Sequence, residues 1–242
     1  MTILIIKDFE KKYPNIPTNL ISYFNNLIEK PGKNSSFHQA MSDHPDLTFE
    51  KIDRDFNKAC IITNLTPDVL LQKIDFNKRD LSIERIESIL GELRTILFLS
   101  ETGFSDITPI RGTKDKSADF HAYYNDLHFS IEVATLIRYS TRTSNDSVIA
   151  WAKSKLIDEK KLIQLNNTAL EFNADNKLFV CVINSRIINL NTHSDFIEIA
   201  KEIWEFTGKD PSLYIAIITG RVDINNISDN CIYPDLKYVI NQ

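Results

Sequence analysis

Two acids stand inside apolar, alternating segments on either side of a tight polar turn, and this constrains the fold more than any other feature of the chain. The stretch reads Ser117-Ala118-Asp119-Phe120, then a turn at Asn125-Asp126, then Leu127-His128-Phe129-Ser130-Ile131-Glu132-Val133-Ala134. Such alternation predicts neighbouring strands. Side chains alternate across a strand, so Asp119, His121 and Tyr123 share one face of the first segment. In the second, His128, Ser130, Glu132 and Ala134 share a face, with Phe129, Ile131 and Val133 opposite. A carboxylate in a strand core is costly unless it is paired or binds a cation. Asp119 and Glu132, thirteen positions apart across the turn, are expected to meet on one sheet face and hold a divalent ion. Oxygen ligands of this kind suit Mg²⁺ or Mn²⁺, which keep several waters and take few protein ligands. The competing picture is an edge hairpin with two solvated acids.

The flanking segments extend the pattern. Leu81 to Thr102 carries Ile83, Ile86, Ile89, Leu90, Leu93, Leu97 and Phe98 at helical spacing, and Gly103 is placed to end that helix. Glu92 borders its buried stripe. Val148 to Leu170 reads as a second, Lys-rich helix, and Lys177 to Asn184 as a buried strand. Strands are expected near 107–111, 118–125, 127–136 and 177–185. Further on come a helix over 194–207, a strand from Leu213 to Thr219 and a last strand near Tyr238 to Ile240. Residues 1–80 read as mainly helical. Leu20 to Phe24 opens one helix, Pro31-Gly32 breaks it, and Thr66 caps another with Pro67 in its first turn. The expected fold class is α/β: a central mixed sheet flanked by helices over 81–242, with a mainly helical N-terminal extension over 1–80.

In order and spacing these elements resemble the PD-(D/E)xK nuclease superfamily. The residues that carry the resemblance are Gly91-Glu92-Leu93-Arg94 on the first helix, Gly103-Phe104 after it, Lys116-Ser117-Ala118-Asp119-Phe120, and Ile131-Glu132-Val133. Glu159-Lys160-Lys161-Leu162-Ile163-Gln164-Leu165 resembles the K-x-x-Q signature of many members. The resemblance covers roughly residues 82 to 185. It implies a restriction-endonuclease-like core in which Asp119 and Glu132 are metal ligands. The Val133 carbonyl would be a third contact, and Glu92 would reach the ion through water. The implied cofactor is Mg²⁺ or Mn²⁺.

The chain departs from the family pattern at Ala134, where members carry the Lys that orients or activates the attacking water. A Lys from the second helix, Lys160 or Lys161, is expected to use the space that a small residue leaves and to supply the missing ammonium. With Ile149 inward, the helical period returns near Ala152, Leu156, Lys160 and Ile163. Lys160 is therefore expected to face the sheet, with Lys161 and Gln164 beside it. A solvated Lys face is the ordinary alternative.

Composition narrows the function classes. There is no Gly-x-Ser-x-Gly elbow and no Walker-type phosphate loop, and 242 residues hold only six Gly. No apolar run approaches the length of a membrane span, and mean hydropathy is −0.21. The N-terminus lacks a secretory leader. Cys60 and Cys181 lie in apolar runs and read as buried thiols, which fits a reducing cytoplasm. No Cys or His pair has zinc-ligand spacing. His121 and His128 fall near the acids but read as packed or solvated, and His38 and His44 carry no signal.

The net charge of −5 does not itself favour nucleic acid. Residues 110 to 165, however, carry nine Lys or Arg against seven acids, a local +2 that leaves −7 elsewhere. Ile137 to Asn145 mixes Arg, Tyr and hydroxyl groups suited to phosphate oxygens. The leading expectation is a cytoplasmic, metal-dependent nuclease of a restriction or defence system, acting on DNA or else RNA, with homodimerisation implied by analogy alone. Its alternatives are a catalytically inactive nuclease-like binding module and an acidic partner or immunity-type protein with structural carboxylates.

Overall fold

The computed structural model describes residues 6–29, 41, 43–74, 76–77, 79–80, 82–110, 117–138, 144–185, 193–219 and 230–236. Asn125 and Asp126 both lie at positive φ, 48° and 65°. That backbone twist matches the twist of flanking strands and closes a two-residue hairpin. The turn joins strand β2 (Phe120–Tyr124) to strand β3 (Leu127–Arg138), which pair antiparallel with Phe120 opposite Ile131 and Tyr124 opposite Leu127. Strand β1 (Ser105–Pro109) pairs antiparallel with the outer side of β2.

On its other side β3 runs parallel to β4 (Asn176–Ser185), and β4 runs parallel to β5 (Leu213–Thr219). Strand β6 (Cys231–Tyr233) closes the far edge antiparallel to β5. The result is one six-stranded mixed sheet in the order β1-β2-β3-β4-β5-β6, as the α/β expectation requires. Parallel neighbours need long crossovers. These are α6 (Asn145–Ile157) with α7 (Lys161–Phe172) between β3 and β4, and α8 (His193–Phe206) between β4 and β5.

Among the described residues, the helices that precede the sheet are α1 (Ile6–Lys12), α2 (Thr18–Glu29), α3 (Pro45–Thr63), α4 (Pro67–Lys73) and α5 (Ile83–Thr102). Thr66 is the residue before α4 and Pro67 its first, although the Thr66 hydroxyl makes no capping bond. Helix α5 buries Ile86, Ile89, Leu90, Leu93, Ile96 and Leu99. It stops at Gly103, whose φ of 102° lets its N–H reach back to the Leu99 and Ser100 carbonyls.

Strand alternation sorts the core into two layers. Phe120, Phe129, Ile131, Val133 and Val180 face α5 and the N-terminal helices, where Phe24, Phe49 and Phe56 belong to the same cluster. Ala134, Leu136, Phe179, Cys181 and Ile215 face α6, α7 and α8. Both faces of β4 and β5 are buried over 178–183 and 213–218, which is why these stretches are unbroken apolar runs.

Several expectations need correction. The helix expected over Val148 to Leu170 is two helices, broken at Asp158-Glu159-Lys160, with Lys160 at φ 62°. No Gly or Pro announces that break; each half buries its own stripe, and packing outweighs the common apolar period. The break resets the helical phase, so Ile163, expected inward, is 52% exposed. Strand β6 was not anticipated, since three residues are too few to show a period. Cys60 is only half-buried, whereas Cys181 is buried. The strand expected near Tyr238 to Ile240, the break at Pro31-Gly32 and His38 lie outside the described residues. Among the described residues, no helix is long and apolar enough to cross a membrane.

Candidate active site

Asp119 and Glu132 come together because the hairpin register carries them there. Phe120, the first residue of β2, lies opposite Ile131, and Asp119 is the bend residue just before it, bonded to the residues on either side of Glu132. The Asp119 N–H donates to the Ile131 carbonyl at 3.0 Å, and the Val133 N–H donates to Asp119 Oδ2 at 2.7 Å. One carboxylate oxygen of Asp119 is thus fixed by the strand that bears Glu132. Ile131 and Val133 both direct their backbone groups toward β2, which ends beside them. By the same alternation the Val133 carbonyl is aimed past that end.

Glu132 is 1% exposed, on the face shared with Ser130 and Ala134. The Lys161 ammonium donates to its Oε1. Its Oε2 is buried with no hydrogen-bond partner among the described residues. Burial, then the charge of Asp119, push the Glu132 carboxyl well above the usual carboxylate range, against the pull of Lys161. Burial alone would lower the Lys161 pKa. Glu132, Asp119 and Glu92 more than offset that, and the group stays charged above its ordinary range.

Glu92 reaches this neighbourhood from the opposite face of the sheet. Residues of β3 beyond Val133 have no partner on β2, and α5 closes over them at Gly91. A Cβ on Gly91 would stand 2.3 Å from Thr135 Oγ1, so beside this threonine a side chain there would force the hydroxyl to shift. Glu92 is the next residue. Arg94, from the same sequence pattern, turns instead to the buried Asp55, 3.6 Å away.

Helix α7 lies across the other face and is tied to the acid-bearing segments at three points. Lys161 holds Glu132, the Ser130 hydroxyl donates to the Leu165 carbonyl at 3.3 Å, and the Thr168 hydroxyl accepts the Ala118 N–H at 2.7 Å. Gln164, one turn beyond Lys161, has its Oε1 buried and donates its backbone N–H to the Lys160 carbonyl. Lys160 itself is exposed at the left-handed start of the helix and does not face the sheet. The expected inward Lys160 is therefore replaced by Lys161, because the break at 158–160 turns the next residue inward. Sequence reasoning missed Thr168 and Ser130, which carry no signal beyond small polar side chains on otherwise buried faces.

The edge-hairpin alternative fails for Glu132, which is buried and paired. His121 and His128 pack against each other, Nδ1 to Nε2 at 3.3 Å, with His121 stacked on Phe172 and His128 on Tyr123. They form an aromatic cluster farther along the same face. Of the phosphate-suited segment Ile137 to Asn145, residues 139–143 lie outside the described residues, as does Lys116.

The donor set can be tested for fit to a divalent ion. Among the described residues, no three His, Cys, Asp or Glu side chains gather closely enough to cage a metal. The protein would therefore supply two carboxylates and the Val133 carbonyl, with water completing the shell, an arrangement suited to Mg²⁺ or Mn²⁺. The partnerless Glu132 Oε2 beside a second carboxylate is a place that a proton or a cation satisfies. On that ground the residues fit. Comparisons of the chain with family models, with curated proteins and with solved structures gave no match.

Proposed function

We propose that the chain is a metal-dependent nuclease that hydrolyses phosphodiester bonds in nucleic acid, with DNA as the first candidate. On this reading it is a PD-(D/E)xK-like enzyme whose motif lysine is supplied by Lys161 from α7 instead of from position 134. The observation that carries the reading is the convergence of Asp119, Glu132 and Lys161 around a buried carboxylate oxygen without a partner.

Asp119, Glu132 and the Val133 carbonyl would hold Mg²⁺ or Mn²⁺, with Glu92 reaching it through water. When bound, such an ion supplies Lewis-acid polarisation of a phosphate oxygen and a more acidic water. The Val133 N–H keeps Asp119 in the orientation its role needs. Lys161 offers three N–H donors; it orients the attacking water and balances the charge that grows on the phosphoryl oxygens.

A second reading has one observation in its favour. The Lys161–Glu132 pair already balances the buried acid, so the same arrangement serves a binding module without catalysis. A plasmid-nicking assay with Mg²⁺ or Mn²⁺ separates the two. The wild type is expected to nick, and Asp119→Ala, Glu132→Ala and Lys161→Ala to lose roughly 100-fold or more, the scale of a lost catalytic group. Lys160→Ala should stay near wild type. Absence of cleavage with either ion, while Mn²⁺ still binds in calorimetry, would favour the binding module.

A further inference from the structure

We propose that Lys161 is the resident cation of this site in the metal-free protein, and that a divalent ion loads by displacing its ammonium from Glu132. The inference rests on the metal-site reading above and adds how loading is controlled. Glu132 is 1% exposed, and the Lys161 ammonium holds its Oε1. The same ammonium feels Asp119 and Glu92 as well as Glu132, so it stands within the field of all three acids. With all three acids ionised, as they are when a metal is bound, one ammonium leaves a local charge of −2, the charge that a divalent ion neutralises.

The ammonium and the ion compete because both are hard, compact cations that need the same carboxylate oxygens. Lys161 is the first residue of α7, directly after the left-handed Lys160, so its side chain hangs from a helix end. With the backbone of α7 held at Ser130 and Thr168, the side chain can swing without moving the helix. Released from Glu132, the ammonium remains beside the site, where the attacking water needs it. Loading therefore converts a charge-balancing group into a working one.

The test is Mn²⁺ binding by calorimetry, with no substrate present. Lys161→Met keeps the length and removes the charge. Lys161→Arg keeps the charge but grips a carboxylate through two parallel N–H bonds, harder to dislodge than an ammonium. Displacement predicts that Lys161→Met binds Mn²⁺ tighter than wild type by roughly tenfold, one local charge removed, and that Lys161→Arg binds more weakly than wild type. Equal affinity for Lys161→Arg and wild type would mean that only net charge matters, and would overturn displacement. Unchanged or weaker binding by Lys161→Met would overturn it too. Thermal melts guard against misfolding: Lys161→Met should melt lower than wild type without metal and recover with Mn²⁺. If neither protein binds Mn²⁺ and both are folded, the metal-site reading fails, and displacement fails with it. Wild-type binding with no gain in Lys161→Met sinks displacement alone.

Discussion

Glu132 sets the pH behaviour of the metal-free protein. Its carboxyl is raised above its ordinary 4.5 by burial and by Asp119. A raised folded pKa means that the stability it contributes is full below the unfolded value and is lost as pH rises through the folded one. With chelator present, stability is therefore expected to fall as pH rises above the ordinary carboxylate range, relative to Glu132→Gln, which cannot ionise. Melting curves of the two proteins over that rise in pH check it, and parallel profiles would contradict it. Saturating Mn²⁺ should reverse the slope, because the ion binds the ionised carboxylate. At this scale the sequence was informative where strand parity applied: alternation set Glu132 on the face of Ser130 and Ala134. It was uninformative for Lys161, since which of two adjacent lysines turns inward depends on a backbone break that side-chain types do not encode.

At the scale of elements, two close approaches hold the site together. Helix α5 meets β3 at Gly91, and an added methyl there would run into Thr135 Oγ1. Gly91→Ala is expected to lower stability by about 1–3 kcal/mol, the range for overpacking. Thr135→Ala removes the obstructing hydroxyl, itself buried without a partner. The double variant should recover most of the loss in denaturant unfolding, and additivity of the two changes would disprove the contact. The second approach is the junction of α6 and α7. Lys160 adopts a left-handed backbone that costs a non-glycine residue about 1 kcal/mol. Lys160→Gly should melt higher than wild type or equal to it, with nicking activity preserved; a marked loss of activity would return Lys160 to the site. Long periodic elements such as α5, β3, β4 and β5 were legible because burial on one or both faces imposes a pattern. The junction and β6 were not, since each is too short to show a period.

The whole molecule folds around a layer that no single segment owns. Phe24 and Phe56 from the N-terminal helices share one cluster with Ile131, Val133 and Val180 of the sheet. The described N-terminal helices thus cover the back of the strands that carry the acids. Phe56→Ala should destabilise by about 3–5 kcal/mol and lower the midpoint for the sheet as much as for the helices, seen as one coincident transition by near- and far-ultraviolet circular dichroism. Separate transitions would show that the N-terminal helices fold on their own. The helical character of this region was legible from its breaks and caps. Its docking partner was not, because apolar helix stripes do not say which sheet face they will meet.

The mixed sheet also fixes an order of assembly. The two acids meet through a hairpin of short sequence separation, whereas Lys161 reaches Glu132 only when the long crossover from β3 to β4 has formed. Local pairings form faster than distant ones, so a nascent chain brings its like charges together before their counter-charge arrives. The same acids that make the finished site attractive to a cation make its hairpin reluctant to close. During synthesis and refolding, the ions of the surrounding solution are the first partners those carboxylates meet.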